Sequence, residues 1–526
     1  MVWNTQRLLE VARTRLGNAQ LIVVANREPY IHRYREGEVE WIRPAGGLTT
    51  ALDPVMQACG GVWVAHGSGE ADRDVCDAAG RVGVPPDQPR YTLRRVWLTR
   101  EQEEGYYYGF ANSCLWPLCH QVFCRPVFDP QHWQIYRQVN ELFAAAVLEE
   151  AQNGPALIFV QDYHFALLPR LLKQVRPDLI IAHFWHIPWP EVDKFLVCPW
   201  ARDILEGLLG NDLLGFHTQH DCNNFQECVD RTLECRLNRE EFSIIRGGRQ
   251  TRVRPFPISV DTDLPRRYLG PNWESRAAQW RKKLRLGQRP LLVGVDRLDY
   301  TKGIPERLQA LDHLLRHHPE LKGTFHFLQV GAPSRTHLPA YRDLAEQVEE
   351  LTERINWEHG TSHWRPVVLL QEHYGPEEIT LLYRMAAGCV VSSLHDGMNL
   401  VAKEFVATRD DERGVLVLSR FTGAARELTD AVLVNPFDVE ELAAGLYQAL
   451  TMPLEEQERR MRRLRAQVLE HNIYRWAGQL LSALGRMAPD VTAPATATVE
   501  AAGLPHLPAA ATHHQTVDSL APLTRL

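Results

Sequence analysis

No run of eighteen apolar residues occurs anywhere in this chain, which excludes the usual transmembrane helix. The opening stretch, Met1 to Gly17, sets Arg7, Glu10, Arg13 and Arg15 among Leu8, Leu9 and Val11. It has no apolar core of signal-peptide type, so a cytoplasmic protein is expected. Basic runs are missing too. With a formal net charge of -7, neither nucleic acid nor an anionic membrane is an expected partner. Paired CxxC spacing is absent from the ten cysteines. Cys114, Cys119, His120 and Cys124 fall close together, as do His217, His220 and Cys222, but neither group has zinc-site spacing. Cys222, Cys228 and Cys235 recur with Phe225, Val229 and Leu233 as packing residues do, which predicts buried thiols in a reduced compartment. A GxGxxG directly after the first strand, the mark of a hydride-transfer enzyme, is also lacking.

What the 526 residues do contain is a sustained alternation of short β-rich runs with helical periodicity, the signature of a parallel α/β fold. The length is too great for one hydrophobic core. Expected strands in the first half are Leu21–Ala25, Val62–Ala65, Leu157–Val160, Leu179–Phe184 and Leu213–Phe216, with helices over Gln134–Glu150 and Ala166–Val175. A polar, proline-bearing segment at Pro255–Asp263 interrupts the rhythm. The pattern restarts with Leu291–Val295, Phe325–Val330, Val367–Leu370, Cys389–Ser393, Val415–Leu418 and Ala431–Val434, separated by helices such as Ile304–His317 and Pro339–Leu351. The reading is an N-terminal helix (1–18), two Rossmann-like domains (19–258 and 259–453), C-terminal helices (454–486) and a disordered Ala/Pro/Thr tail (487–526). Ligands of doubly wound sheets bind just outside the carboxyl ends of the strands, so the chemistry is expected immediately after strands.

Three motifs lie there. After the first strand, LIVVANRE leads through a hairpin-like insert to PAGGL, where Gly46 and Gly47 stand before a helix and would let backbone amides approach an anion. VGVDRLDYTKG ends a strand in Arg297 and places Lys302 five residues later; two cations there would clamp a diphosphate. SSLHDGMNLVAKE puts Asp396 just after a strand and Gly397 in a tight turn, with the amides of Leu400 and Val401 at a helix start and Glu404 one turn in, suited to ribose hydroxyls. Each motif alone also reads as an ordinary turn, solvated loop or capped helix.

Together, DRLDYTKG followed by DGMNLVAKE closely resembles the trehalose-6-phosphate synthase family of retaining glycosyltransferases. The other landmarks of that family stand in order: Asn26–Arg27, Gly46–Gly47, Tyr107–Pro117, Gln161–His164, His186–Pro190 and Arg335. The resemblance covers roughly Leu21 to Leu484 and implies a GT-B fold, two Rossmann-like domains facing a cleft. It implies a nucleotide-glucose donor, UDP-glucose first, and a sugar-phosphate acceptor, with no metal and no other cofactor. By resemblance Arg297 and Lys302 hold the donor diphosphate, Asp396 with Gly397, Met398 and Asn399 the glucose, Leu400 and Val401 the phosphates, and Glu404 the ribose. Gly47 meets a donor phosphate from the facing domain, and His186 contacts the transferred sugar. His186, Arg297, Lys302 and Asp396 form the expected catalytic set. Arg27, Tyr107 and Arg335 resemble the acceptor-phosphate clamp, with Trp116 and Asp162 at the acceptor ring.

Three departures stand beside the match. The Pro29–Arg43 insert is longer than is usual in bacterial relatives and abuts the acceptor site. NREPY resembles the glucosylglycerol-phosphate synthases, which use glycerol 3-phosphate. His395 stands where the family commonly has arginine. Glucose 6-phosphate is the expected acceptor, and glycerol 3-phosphate and a catalytically silent sugar-phosphate sensor stay open. The donor base and the oligomeric state, a homo-oligomer included, also stay open. Asp261–Asp263 matches the DxD metal pattern superficially, but it lies in the expected linker and is read as chance. No carboxylate pair is placed to act in the glycosidase manner.

Overall fold

The computed structural model describes residues 3–44 and 47–487. Gly46 and the tail expected to be disordered lie outside the described residues, apart from Met487.

The chain builds two large sheets. In spatial order the first runs Arg236–Asn238, Ser243–Arg246, Arg249–Pro255, Leu213–Phe216, Ile180–Phe184, Ala156–Gln161, Gln20–Val24, Val62–His66, Tyr91–Val96 and Arg81–Val84. From Arg249–Pro255 through Tyr91–Val96 every pairing is parallel, and only the outer strands at each edge run antiparallel. The second sheet is parallel throughout, in the order Val367–Leu370, His326–Ala332, Leu291–Arg297, Gly388–Val391, Val415–Ser419 and Val432–Val434. Its central strands are apolar on both faces because helices cover both, as at the fully buried Leu291, Leu292 and Val293.

In each sheet the first strand lies inside, and the chain winds outward first one way and then the other. The order reverses between Gln20–Val24 and Ala156–Gln161 in the first sheet, and between Leu291–Arg297 and Gly388–Val391 in the second. A crevice opens at such a reversal, because the connections leave the two strands toward opposite faces. Arg27 and Asp162 follow the first pair, and Arg297 and Asp396 end or follow the second. The expected site residues thus stand at both switch points.

Most expected strands and helices agree to within a residue or two. The helix expected over Pro339–Leu351 continues to His359, and the one expected from Ala166 begins at Leu168. Several elements were not anticipated, among them the edge strands and a π-helix over Glu104–Leu115. In that wide helix Asn112 Nδ2 donates to the Tyr107 carbonyl at 2.7 Å and Ser113 Oγ to that of Tyr108 at 2.7 Å, each five residues back.

The insert is a hairpin of Ile31–Arg35 and Glu38–Ile42. Its base is held by buried charge: Arg95, fully buried, reaches Glu28 at 2.6 Å and Asp72 at 2.8 Å, and Asp72 also accepts the His32 amide at 2.8 Å. The final helix, Ile473–Gly485, returns to the first sheet. Trp476 Nε1 donates to the Phe256 carbonyl at 3.1 Å, and its ring packs on Phe159 and Phe184.

All ten cysteines are free; Cys114, Cys119, Cys198, Cys222, Cys228 and Cys389 are buried, whereas Cys59, Cys76, Cys124 and Cys235 are only half-buried, less than packing periodicity implied.

Candidate functional site

A cavity of about 440 Å³ lies between the two switch points, within the usual range for small-molecule sites. Trp116, Asp162, His186, Arg297, Lys302, Asp396, Met398, Asn399, Leu400, Val401 and Glu404 line it. Arg27, Tyr107 and Arg335 form a cluster behind Trp116 and do not line it. Gly47 is the first residue of the helix Gly47–Cys59, rather than standing before it, and the next residues, Leu48 to Thr50, line the cavity.

The second-sheet wall is built on strand ends and one helix start. Arg297 ends its strand with no carboxylate within ion-pair distance among the described residues. Lys302 ends the short helical turn Tyr300–Lys302, and Gly303 carries the left-handed φ of +61° that brings this loop against Ser392. Lys302 Nζ lies 2.6 Å from Asp396 Oδ2. Burial would push the Asp396 carboxyl up, but Lys302, with help from His120 and Asn399, holds the group down at about 2. Asn399 Nδ2 supports the same oxygen at 3.2 Å, while Asn399 Oδ1 caps the Ala402 amide at 3.1 Å. The cap leaves the Leu400 and Val401 amides, first in their helix, without intrahelical acceptors. Glu404 is pushed up by burial and faces the Tyr383 hydroxyl at 3.3 Å. Lys403, on the far side of this helix, is buried and donates to the Ile258 carbonyl at 2.7 Å.

From the first sheet, Asp162 Oδ1 accepts the Tyr163 amide at 3.0 Å and the His186 amide at 3.1 Å. Burial still raises its carboxyl to about 7. His186 Nε2 lies 2.9 Å from Gln161 Oε1, and burial keeps the imidazole neutral, far below its ordinary range. The halves touch here: a Cβ on Gly397 would sit 2.2 Å from the His186 carbonyl oxygen, so only glycine permits the approach. A second contact across the cleft comes from His395, whose Nδ1 accepts the Gln121 amide at 3.1 Å.

Behind Trp116 the guanidinium of Arg335 lies 4.7 Å from the Trp116 ring centroid and 6.0 Å from that of Tyr107. Its Nη1 is fixed by Asp299 at 3.2 Å and by the Tyr341 hydroxyl, whereas Nε is buried and unpartnered. Arg27 donates to the Tyr107 hydroxyl at 3.3 Å. Burial pushes the Tyr107 phenol up, but Arg335, Arg27 and Arg297 together bring it down to about 7. Such a concentration of positive charge suits an anion. His164, stacked on Tyr107 at 5.7 Å, has both ring nitrogens buried and unpartnered. Asp162, Arg335 and Asn399 all hold positive φ, at 69°, 48° and 73°. Side chains other than glycine rarely adopt it, and it concentrates at binding sites.

The DxD look-alike is occupied by the protein itself. Asp261 accepts Tyr474 Oη at 2.9 Å, Arg267 Nη2 at 2.8 Å and the Asp263 amide at 2.9 Å. Among the described residues, the one cluster with metal-ligand chemistry is Asp312, Glu358 and His359, outside the cavity and already paired with Arg316. Gln161, Asp299, Ser393 and Lys403 are positioning residues that sequence reasoning missed. All four lie inside the quoted motifs and landmarks, Ser393 with its Oγ 3.3 Å from Asp396 Oδ2, and that adjacency was the available signal.

Residues 19–486 match the family model described as glycosyltransferase family 20. The chain is 40% identical over 489 residues to the trehalose-6-phosphate synthase of Mycobacterium tuberculosis, covering 90% of this chain and 96% of the relative. Among solved structures it is similar to the E. coli trehalose-6-phosphate structure bound with UDP-2-fluoro glucose, with a TM-score of 0.80 at 31% identity over 89% of this chain and 99% of the other. It is equally similar to the UDP-forming α,α-trehalose-phosphate synthase of Burkholderia xenovorans in complex with glucose-6-phosphate, with a TM-score of 0.80 at 32% identity over 89% of this chain and 100% of the other.

Proposed function

The chain belongs to glycosyltransferase family 20, and from that premise we propose that it moves glucose from UDP-glucose to glucose 6-phosphate, giving α,α-trehalose 6-phosphate with retention. The observation that carries the reading is the cavity's two-ended wall. One end has Arg297, Lys302 and the Leu400 and Val401 amides for a diphosphate, with Glu404 for a ribose. The other has Asp162 and Trp116 over a cluster of guanidinium groups for a sugar phosphate. The E. coli structure bound with UDP-2-fluoro glucose supports the donor in this reading, and the B. xenovorans structure in complex with glucose-6-phosphate supports the acceptor.

In this reading the C1–O bond to the diphosphate breaks as the acceptor's anomeric hydroxyl approaches the same face. The leaving phosphate oxygen takes the acceptor's proton, so no protein carboxylate need serve as nucleophile. Arg297 and Lys302 stabilise the charge growing on the diphosphate. Asp396 orients Lys302 and the transferred sugar, and neutral His186 offers that sugar a hydrogen bond without adding charge. The touching halves at Gly397 and His186 keep water from the activated glucosyl group.

Acceptor competition tests this. Glucose 6-phosphate and glycerol 3-phosphate at equal concentration with UDP-glucose should give mainly trehalose 6-phosphate, and free glucose should be very poor. A phosphate held by charged donors gains about 1.5–3 kcal/mol per hydrogen-bonded group. Activity should persist in excess EDTA. Mainly glucosylglycerol phosphate would overturn the acceptor, and loss in EDTA restored by magnesium or manganese would overturn the metal-free donor site.

A further inference from the structure

Three arginine or lysine side chains line the cavity, and only two belong to the motifs that follow the second sheet. Lys302 is largely committed to Asp396 at 2.6 Å. Arg297 is available. The third is Arg43, where the hairpin returns to the body of the chain.

Several observations make Arg43 more than a hinge residue. Its Nη2 donates to the Tyr30 hydroxyl at 2.9 Å, and its guanidinium lies 5.2 Å from the Tyr30 ring centroid. Tyr30 is itself fully buried and donates to Asp53 at 3.0 Å, so the anchor is rigid. Asp53 needs Arg43 little: it already accepts Tyr30, Tyr91 at 2.7 Å and Gln57 at 2.8 Å, and Arg43 stands off at 3.5 Å. A guanidinium carries five donors, and the contacts to Tyr30, Asp53 and Tyr268 do not use them all. The Arg43 side chain is 41% exposed, open to the cavity it lines. Facing it is Tyr268, which stands on the short helix Leu264–Leu269. That helix packs on the helix carrying Glu404. The hairpin's exit therefore meets the nucleotide end of the cavity, rather than only the acceptor site it was expected to abut.

A nucleoside diphosphate sugar brings two negative charges, and the nucleoside diphosphate released after glucosyl transfer carries more. Burying them beside one uncommitted cation would leave charge uncompensated, which a closed cleft tolerates poorly. We propose that Arg43 is a donor-binding residue, a guanidinium delivered by the hairpin that holds the diphosphate of the nucleotide sugar from the side opposite Arg297 and Lys302. This rests on the donor reading above.

Calorimetric titration of the full chain with UDP and with uridine tests the assignment, using wild type, Arg43→Ala and Arg43→Lys. Arg43→Ala should weaken UDP by about tenfold to a hundredfold, the scale of one charged hydrogen-bonding group. Arg43→Lys should recover part of that loss, since it keeps the charge but not the fork. Uridine should bind all three alike. Unchanged UDP affinity in Arg43→Ala overturns the proposal, and so does an equal loss for uridine, which would mean a packing wall. If Arg43→Ala does not fold, UDP affinity in Arg43→Lys equal to wild type overturns it and a loss confined to UDP supports it. Wild type that binds none of UDP, ADP and GDP would remove the donor reading itself, and this one with it.

Discussion

Arg297→Ala is the cleanest perturbation of the donor site, because Arg297 makes no ion pair among the described residues. Its guanidinium stands 5.9 Å from the Trp116 ring centroid. Folding stability should therefore be nearly unchanged. The catalytic loss has a ceiling and a floor. A unit charge about 4 Å from a guanidinium, at an effective dielectric near 20, interacts by about 4 kcal/mol. If the leaving diphosphate gains about one charge in the transition state, the greatest loss is about 10³-fold in rate. Removing one charge-stabilising donor costs about 10²-fold at the lower end of measured cases. We expect kcat/KM for UDP-glucose to fall by about 10²–10³, read by continuous detection of released UDP at saturating glucose 6-phosphate. Affinity for intact UDP-glucose should fall much less than kcat, because only the charge that develops in the reaction is stabilised differentially. Activity within about threefold of wild type, under 1 kcal/mol, would refute the assignment. Lys302→Ala is a poorer test: it also leaves Asp396 unpaired inside the cavity.

The Tyr107 phenol, brought down to about 7 by its three arginines, predicts a basic limb in the pH profile. Above that pH a phenolate would stand beside the incoming phosphate and weaken it, so kcat/KM for glucose 6-phosphate should fall as pH rises through about 7. Tyr107→Phe should lose that limb, and a limb unchanged in Tyr107→Phe would exclude this cause. Arg95→Ala strands Glu28 and Asp72 in the interior and should destabilise the protein by about 3–5 kcal/mol, seen as a lower denaturation midpoint. A midpoint equal to wild type would show that the buried network does not hold the hairpin's base.

How much of this was legible in the sequence follows from the range over which each feature is determined. Leu213–Phe216 was read to the residue because burial on both faces makes it an apolar run bounded by turns, and Val367–Leu370 was too, since this half-buried edge strand is apolar at every position. The edge strands Arg81–Val84, Arg236–Asn238 and Ser243–Arg246 carry polar residues on the open side and resemble loops. The π-helix, where the Asn112 and Ser113 side chains reach carbonyls five residues back, is announced by no hydrophobic period. The motifs located the site because each switch point brings short chain-local segments together, Arg27 to Asp162 and Arg297 to Asp396. What they could not give is the state of each charge.

That state is decided by partners distant in sequence, and it divides the site's work. Arg335 is preoriented by Asp299, 36 residues away, so its unpartnered Nε is held for a ligand rather than left to find one. Lys302 is neutralised by Asp396, 94 residues away, until a diphosphate competes for it. The ion pair avoids a bare buried cation, and breaking it costs part of the donor's binding energy. At the cavity wall Arg297 has no carboxylate partner among the described residues and Arg43 only a looser one, Asp53 at 3.5 Å, which is why the charge balance of the donor site turns on them.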